Sequence, residues 1–282
     1  MTCIKALKGY ELYGFDCNPL SAGFKFVESH VIPSATSPEF FDKLLGFCRE
    51  LEIDVLIPTV DEELPLIAER RNELPCVSVV APLRTVRVCL DKRELMSFLG
   101  KNVPTTATPL PQEFPLFPVV VKPACGRGAR NIYICRDEGD FSYAVKACPR
   151  PFIVQEFLSP PEYSVDTLSD LEGNCLVAVP RERTEVKGGV VWRGRIMDDK
   201  DVEELAKWAV EKLGMTGPAV VQIRENKVFE VNPRIGGTTI LSVEAGVNIP
   251  ELSIKLFMGE DIGVIPSFRE ISVARYFEEA YF

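Results

Sequence analysis

The first 80 residues alternate between short apolar runs and stretches with a single apolar face. Pro38 follows Ser37 at a predicted helix start, and apolar residues then recur at helical spacing as far as Leu51. Short strands separated by helices are typical of a parallel sheet that is covered on both faces. The predicted elements are, in chain order, a strand at 10–15, a helix at 37–51, a strand at 53–57, a helix at 64–70 and a strand at 77–80.

The opening strand of such a sheet is missing from this pattern. A doubly wound sheet normally begins with a strand and a glycine turn before its first helix. Here residues 2–8 already have the pattern of a helix end, closed by Gly9. The missing strand is central in the usual order, so its loss leaves unpaired backbone on two neighbours. We therefore expect either that the natural chain begins further upstream or that another segment completes the sheet.

From residue 83 onward the pattern changes to longer strands and hairpins. Asp91 and Glu94 have the spacing of a capping box and predict a helix start, and a later amphipathic helix stops at Gly214. Asp170 to Gly173 has the composition of a hairpin turn. The other predicted elements are strands at 119–122, 131–135 and 152–157, helices at 141–147, 201–213 and 251–258, and paired strands across 163–179 and 219–232.

Composition limits the class of protein. Of the 282 residues, 46% are hydrophobic and 26% are charged, as in a soluble protein with a core. The net charge of −9 removes the counterion release that drives binding to nucleic-acid backbones, so we expect no nucleic-acid partner. No apolar run approaches the about 20 residues that cross a bilayer. With no leader pattern at the start either, we expect no membrane partner and a cytoplasmic protein.

The cysteine and histidine content narrows the chemistry. Nine cysteines are scattered without a Cys-x-x-Cys pair, which favours a reducing compartment over disulfides or zinc. His30 is the only histidine, and we expect it to be structural. Nucleophile pairs that need histidine and multi-histidine metal sites are therefore nearly excluded. The chemistry must rest on carboxylates, lysines, arginines and backbone amides.

A glycine-containing loop follows a predicted strand that ends in lysine. In VVVKPACGRGARNI, residues 119–132, Lys122 ends the strand, and Gly126 and Gly128 lie on either side of Arg127. Small residues let backbone N–H groups close on phosphate oxygens, while the lysine supplies a point charge. The spacing matches neither a P-loop nor a dinucleotide-binding turn. Taken alone, this segment also fits an ordinary solvated turn.

Three oxygen-bearing side chains are predicted to share one face of a hairpin. Glu230 and Asn232 are two apart on a strand, so both leave the same face. A three-residue loop at 225–227 would place Gln222 directly opposite Glu230. Mg²⁺ prefers such hard ligands. A plain solvent-facing sheet surface is the alternative, but Pro233 and the glycines that follow favour a shaped loop.

Two further segments carry weaker signals. In FIVQEFLSPPEYSVD, residues 152–166, a strand runs into a polar connection whose exposed backbone could bind a nucleobase edge, with Glu162 free to bind sugar hydroxyls. An interdomain connection has the same appearance. In PRERTEVKGGVVWRGR, residues 180–195, five basic residues surround two glycines, which suits an anionic substrate. A mobile surface loop explains that segment equally well.

Taken in order, these segments resemble the ATP-grasp superfamily. The closest likeness is to the ATP-binding half of the carbamoyl-phosphate synthetase large subunit and to free-standing carboxylate–amine ligases. The resemblance covers nearly the whole chain: residues 1–80 resemble the family's preceding Rossmann-like domain, and ARYFEEAYF, residues 274–282, resembles its closing strand. The motifs that carry it are Asp91-Lys92, Lys122 with its glycine loop, Gln155-Glu156-Phe157-Leu158, Glu162, Gln222 and Glu230-x-Asn232-Pro233-Arg234.

The resemblance implies a fold of the α/β and α+β classes. A Rossmann-like domain, lacking its first strand, would occupy 1–82, and a two-subdomain ATP-grasp domain would occupy 83–282. The small lid subdomain would span about 104–157 and the C-terminal subdomain about 158–282.

It also implies a role for each site residue. The predicted ATP-binding residues are Lys92, Lys122, Gly126, Gly128, Gln155, Glu156, Phe157, Leu158 and Glu162. Two Mg²⁺ ions, with Mn²⁺ as a substitute, would be bound by Gln222, Glu230 and Asn232. Arg234 would be catalytic, and the predicted substrate-binding residues are Arg181, Arg183, Lys187 and Gly236. The loop at 124–130 would close over the nucleotide as a lid.

The implied reaction uses ATP to phosphorylate a carboxylate, after which an amine or similar nucleophile displaces phosphate. The substrates would be a small carboxylate and an amine, and the first candidates are a free amino acid or a small peptide-like acid. The alternative is a nucleotide-binding subunit of a split carbamoyl-phosphate-synthetase-like enzyme, without independent activity. A homodimer and a partner subunit are both left open.

Overall fold

The computed structural model describes residues 6–107, 116–126, 128, 130–187, 190–276 and 278–280, without the side chains of 107 and 190. The predicted helix end at 2–8 therefore lies largely outside the described residues, as does Arg127. The strands are β1 Tyr13–Asp16, β2 Glu28–Val31, β3 Val55–Leu56, β4 Val77–Ser78, β5 Thr106–Ala107, β6 Val119–Pro123, β7 Tyr133–Cys135, β8 Phe152–Glu156, β9 Glu162–Ser169, β10 Cys175–Lys187, β11 Val190–Ile196, β12 Gly217–Arg224, β13 Lys227–Asn232 and β14 Ile271–Ala274. The α-helices are α1 Phe40–Glu50, α2 Leu64–Arg70, α3 Leu83–Leu90, α4 Lys92–Leu99, α5 Glu138–Ala147, α6 Lys200–Lys212, α7 Ile240–Glu244 and α8 Ile249–Phe257.

The N-terminal part contains two pairs of parallel strands. β1 pairs with β2, and β3 pairs with β4, so the predicted parallel pairing is confirmed. Within the described residues the two pairs form separate two-stranded sheets. Helix α1 buries Phe40, Phe41, Leu44 and Cys48 at the helical spacing that the sequence predicts.

A small antiparallel sheet forms one wall of the cleft described below. Its four strands have the order β5–β8–β6–β7. Asp137 is the N-cap of helix α5, and its carboxylate accepts a hydrogen bond of 2.8 Å from the backbone N–H of Asp140. Phe141 and Ala144 of this helix pack on Val121 and Cys135 of the sheet. The sheet therefore has its own small core.

A six-stranded antiparallel sheet forms the opposite wall, in the order β13–β12–β9–β10–β11–β14. Helix α6 covers one face and buries Val202, Ala206, Ala209 and Val210. The expectation of a loop over 180–195 is wrong, because β10 runs on to residue 187 and pairs with β11. The last described strand, Ile271–Ala274, pairs with β11 and lies earlier than the predicted closing strand, which it overlaps only at Ala274.

No helix in the part of the chain that the structure describes combines the length and the apolar character needed to cross a membrane. The longest, α6, has 13 residues and carries acidic side chains in its first turn.

Candidate active site

A cavity of about 700 Å³ lies between the two antiparallel sheets. The predicted site residues come from distant parts of the chain, and every one of them except Lys187 lines this cavity. The lining residues among them are Lys92, Lys122, Gly126, Gly128, Gln155, Glu156, Phe157, Leu158, Glu162, Arg181, Arg183, Gln222, Glu230, Asn232, Arg234 and Gly236.

Two buried lysines lie beside the glycine loop. Lys92 starts α4, and its Nζ donates to the carbonyl of Gly126 at 3.1 Å and lies 3.8 Å from Glu230 Oε1. The backbone N–H of Lys92 donates to the carbonyl oxygen of Ala124, which fixes the start of α4 to the residue that follows β6. Lys122 leaves β6 and is only 6% exposed. Burial lowers the pKa of Lys122 to about 8, because the charged form loses its hydration and Glu230 only partly compensates.

The β12–β13 hairpin brings the predicted metal ligands together. Gln222 lies directly opposite Glu230, as predicted. The loop, however, has two residues rather than three: Glu225 and Asn226 both have positive φ, which is the geometry of a tight type I′ hairpin. A bulge between Gln222 and Ile223 then restores the pairing.

These residues fit a divalent cation that completes its coordination with water and phosphate oxygens. Glu230 supplies a half-buried carboxylate, and Gln222 and Asn232 supply amide oxygens, which are the hard donors that Mg²⁺ prefers. Among the described residues, no cluster of three or more His, Cys, Asp and Glu side chains could hold a metal ion.

Glu162 is held by two arginines instead of being free for a sugar. Its Oε1 lies 2.8 Å from Arg183 Nη1, and its Oε2 accepts from Arg224. The register explains this, because Glu162 pairs directly with Arg224 across β9 and β12. Burial lowers the pKa of the Arg183 guanidinium. A carboxylate has further acceptor positions, so the pairing still leaves room for a hydroxyl donor.

The connection after β8 is fixed to the same hairpin by three contacts. Glu156 Oε1 accepts from Lys227, and the carbonyl of Leu158 accepts from Arg224 Nη1 at 3.0 Å. The backbone N–H of Ser159 donates to Glu225 Oε1 at 2.8 Å. Beside them, Gln155 is buried and donates from Nε2 to the hydroxyl of Thr106, 3.0 Å away.

Arg181, which is predicted to bind substrate, lines the cavity but is already engaged by other residues. It is fully buried, and Nη1 donates to Asp166 Oδ2 at 2.6 Å and to the carbonyl of Thr238 at 3.1 Å. Asp166 also accepts from the hydroxyls of Thr239 and Ser242, at 3.0 and 2.6 Å. Arg181 lies on β10, inside the six-stranded sheet, so its bond to Asp166 helps to hold this wall of the cavity together.

Lys187 is the one predicted site residue that lies outside the cavity. Its Nζ is 3.3 Å from Glu185 and 4.4 Å from the centre of the Trp192 ring, and its side chain is 59% exposed. Arg193 and Arg195 likewise pair with glutamates on the same hairpin. The charges of Lys187, Arg193 and Arg195 are therefore paired with glutamates, and among the described basic residues of 180–195 it is Arg181 and Arg183 that line the cavity.

Gly236 lies where no side chain fits. A Cβ at this position would approach a methyl carbon of Val220 to 2.8 Å and the Thr239 hydroxyl to 3.2 Å. The loop after β13 can pass this close to β12 only as glycine. Gly236 thereby shapes the cavity wall through its backbone.

Sequence reasoning missed Asp61, Asp166 and Arg224. Asp61 pairs with Arg234 Nε. It belongs to the acidic turn after β3, at the carboxyl end of a parallel strand, where functional side chains often lie. That position was the only available signal, because the pair joins residues 173 positions apart.

Comparisons with known proteins match two segments of the chain to family models. Residues 149–280 match the family model described as ATP-grasp in the biosynthetic pathway with Ter operon. Residues 2–80 match the PylC-like N-terminal domain. The resemblance to the ATP-grasp superfamily is confirmed: the chain has an ATP-grasp fold behind a PylC-like N-terminal domain.

Curated relatives include the carbamoyl phosphate synthase large chains of Clostridium perfringens, 27% identical over 164 residues, and Clostridium beijerinckii, 29% identical over 161 residues. Each alignment covers about half of this chain, 52% and 51%, but only 15% of the relative. The chain therefore corresponds to a small part of those large chains.

Solved structures share the fold at low sequence identity. The L-amino acid ligase of Bacillus licheniformis has a TM-score of 0.71 at 21% identity, over 93% of this chain and 73% of that one. The biotin carboxylase of Campylobacter jejuni has a TM-score of 0.71 at 16% identity, over 93% and 69% of the two chains. An ADP complex of N5-carboxyaminoimidazole ribonucleotide synthetase reaches 0.75 at 14% identity, over 96% and 77%.

Proposed function

We propose that this protein is an ATP- and Mg²⁺-dependent ligase that activates a small carboxylate as an acyl phosphate for attack by an amine. One observation carries the proposal: two buried lysines, the Glu230 hairpin and Arg234 converge on one cavity between the two sheets. The relatives support it, since they include a carbamoyl phosphate synthase large chain and an L-amino acid ligase.

ATP would lie along the cavity from the β8 connection to the hairpin. The backbone between Glu156 and Leu158 would bind the adenine edge; because the Leu158 carbonyl is already bonded to Arg224, its N–H is the group left to face the base. Glu162 would accept from the ribose hydroxyls. Lys92 and Lys122 would neutralise the phosphates, with the loop from Gly126 to 130 above them.

Gln222, Glu230 and Asn232 would hold Mg²⁺, which supplies charge neutralisation along the triphosphate and fixes its orientation. We expect two ions, because the resemblance to the ATP-grasp superfamily implies two. Arg234 would stabilise the negative charge on the transferring phosphoryl group and the carboxylate oxygen that receives it. No protein nucleophile is required, which agrees with a chain that contains a single histidine.

The proposal is tested by measuring ADP and phosphate release against a panel of amino acids and small peptides, each offered as carboxylate and as amine. Turnover that depends on one carboxylate and one amine, with stoichiometric ADP, is the expected result. The L-amino acid ligase neighbour makes free amino acids the first choice. Binding of MgATP without ADP release in any mixture would favour the split-enzyme subunit.

ATP affinity should fall as the pH is raised through about 8, the value to which burial lowers the pKa of Lys122. Below that pH the ammonium is present and binds phosphate, and above it the charge is lost. We expect a loss of affinity of up to about tenfold between pH 7 and 9, with proton uptake on binding near pH 8. Calorimetric titration in buffers of different ionisation enthalpy measures both quantities.

Lys122→Met is the control for this pH dependence. It should bind ATP more weakly than the wild type at pH 7 and show a flatter profile up to pH 9. A wild-type profile with no change in affinity over this range would contradict the role of Lys122 in binding phosphate.

A further inference from the structure

Arg234, the proposed catalytic arginine, is held by a carboxylate from the other end of the chain. Its Nε donates to Asp61 Oδ1, and its Nη1 donates to the carbonyl of Ile235 at 3.1 Å. The two side chains of the pair are 16% and 13% exposed, so solvent screens the pair little. Nη2 has no hydrogen-bond partner within the described part of the chain, and Arg234 lines the cavity.

The turn that carries Asp61 is itself fixed. It follows β3 and is closed by Glu63, whose Oε1 accepts from the backbone N–H groups of Thr59 and Val60 at 2.6 and 2.8 Å. Burial raises the pKa of Glu63, while these hydrogen bonds and the nearby Arg234 act in the opposite direction. Thr59 lines the cavity, so the turn reaches the site, and Asp61 contacts it through Arg234.

We infer that Asp61 is a positioning residue that orients the Arg234 guanidinium, so that the N-terminal domain supplies part of the active site. The inference rests on the proposed function. A guanidinium is planar, and a carboxylate on Nε fixes the direction in which Nη2 points. With Asp61 on one side and Ile235 on the other, Nη2 is the remaining donor for an anion in the cavity. This arrangement pre-organises the charge before the phosphate arrives.

Nucleotide binding gives a test that does not depend on knowing the substrates. An arginine that contacts the terminal phosphate favours the non-hydrolysable analogue AMPPNP over ADP, because ADP lacks that phosphate. We therefore expect Asp61→Asn to reduce the ratio of the two affinities by about fivefold or more while ADP affinity stays within about twofold. Calorimetry with Mg²⁺ present measures both dissociation constants.

The double variant shows whether Asp61 acts through Arg234. Arg234→Ala should reduce the same ratio, and adding Asp61→Asn to it should have no further effect, because the group being oriented is already gone. A further, additive loss in the double variant would overturn the inference, and so would an unchanged ratio in Asp61→Asn alone. Asp61→Glu, which keeps the charge, should recover part of the ratio.

Asp42→Asn is the matched control. Asp42 is an exposed carboxylate of the same domain, 3.8 Å from Arg70, and its loss should leave both affinities unchanged. Thermal unfolding of each variant identifies general loss of structure, which would lower ADP affinity together with AMPPNP affinity.

Once a substrate pair is known, Asp61→Asn should lower kcat about tenfold or more, which corresponds to about 1.4 kcal/mol, with little change in the KM for ATP. If the wild type turns over and the Asp61→Asn variant is fully active, the positioning role of Asp61 is wrong. The proposed function is not affected by that result. A wild type that binds MgATP but releases no ADP would instead contradict the proposed function, while the affinity ratio would still test Asp61.

Discussion

Replacing Glu230 by glutamine is expected to lower kcat by at least about a hundredfold, or about 2.7 kcal/mol of barrier. Glu230 is the only carboxylate in the proposed metal-binding set, which otherwise consists of the amides of Gln222 and Asn232. Removing its negative charge takes away the carboxylate that offsets the repulsion between the cations, and between the cations and Lys92, whose Nζ lies 3.8 Å from Glu230 Oε1. The side-chain shape is retained, so the fold should be unchanged.

ADP release at several Mg²⁺ concentrations measures this effect, and circular dichroism and thermal unfolding check the fold. Glu204→Gln is the matched control, because Glu204 is 71% exposed on α6, where it pairs only with Lys207. It should keep full activity. If Glu230→Gln retains more than about a tenth of wild-type turnover, the assignment of Glu230 to the metal is wrong.

Replacing Asp166 by alanine should lower the free energy of unfolding by about 3–5 kcal/mol. Asp166 accepts hydrogen bonds from Arg181, Thr239 and Ser242, and both partners of the ion pair have side chains only 1% exposed. Without Asp166, a fully buried guanidinium is left without its counter-charge. Urea unfolding at neutral pH measures the loss.

The exposed pair between Arg195 and Glu182 on the same hairpin supplies the control. Arg195→Ala should cost less than about 1 kcal/mol, since its side chain is 55% exposed. The double replacement Asp166→Leu with Arg181→Met should recover much of the lost stability, because it removes both buried charges together. Equal stability losses in Asp166→Ala and Arg195→Ala would show that the buried pair is not structural, and would restore the substrate role of Arg181.

The sequence pattern correctly predicted features that depend on spacing within one helix or one strand. The cap at Asp91, the amphipathic face of α6 and the same-face relation of Glu230 and Asn232 all follow from spacing along one element. The pairing of Gln222 with Glu230 was also predicted, although through the wrong turn, because the bulge compensates for the shorter loop.

The predictions from sequence were wrong or incomplete where contacts between residues far apart in the sequence determine the structure. The basic segment at 180–195 resembles a loop in composition, yet its backbone is paired with β9 and β14. The burial of Arg181 depends on Asp166 from a neighbouring strand, and the Asp61–Arg234 pair joins two parts of the chain that no periodicity links. No local signal in the sequence carries such pairings.

The three contacts that fix the β8 connection to the β12–β13 hairpin have a consequence for selectivity. Glu156, Leu158 and Ser159 are joined to Lys227, Arg224 and Glu225. Under the proposed function, the place where the base binds and the place where the metal binds would then keep a constant separation. The site would therefore select ligands by the distance between their base and their terminal phosphates. A nucleoside monophosphate whose base is bound at the β8 connection would not reach the metal-binding residues of the hairpin.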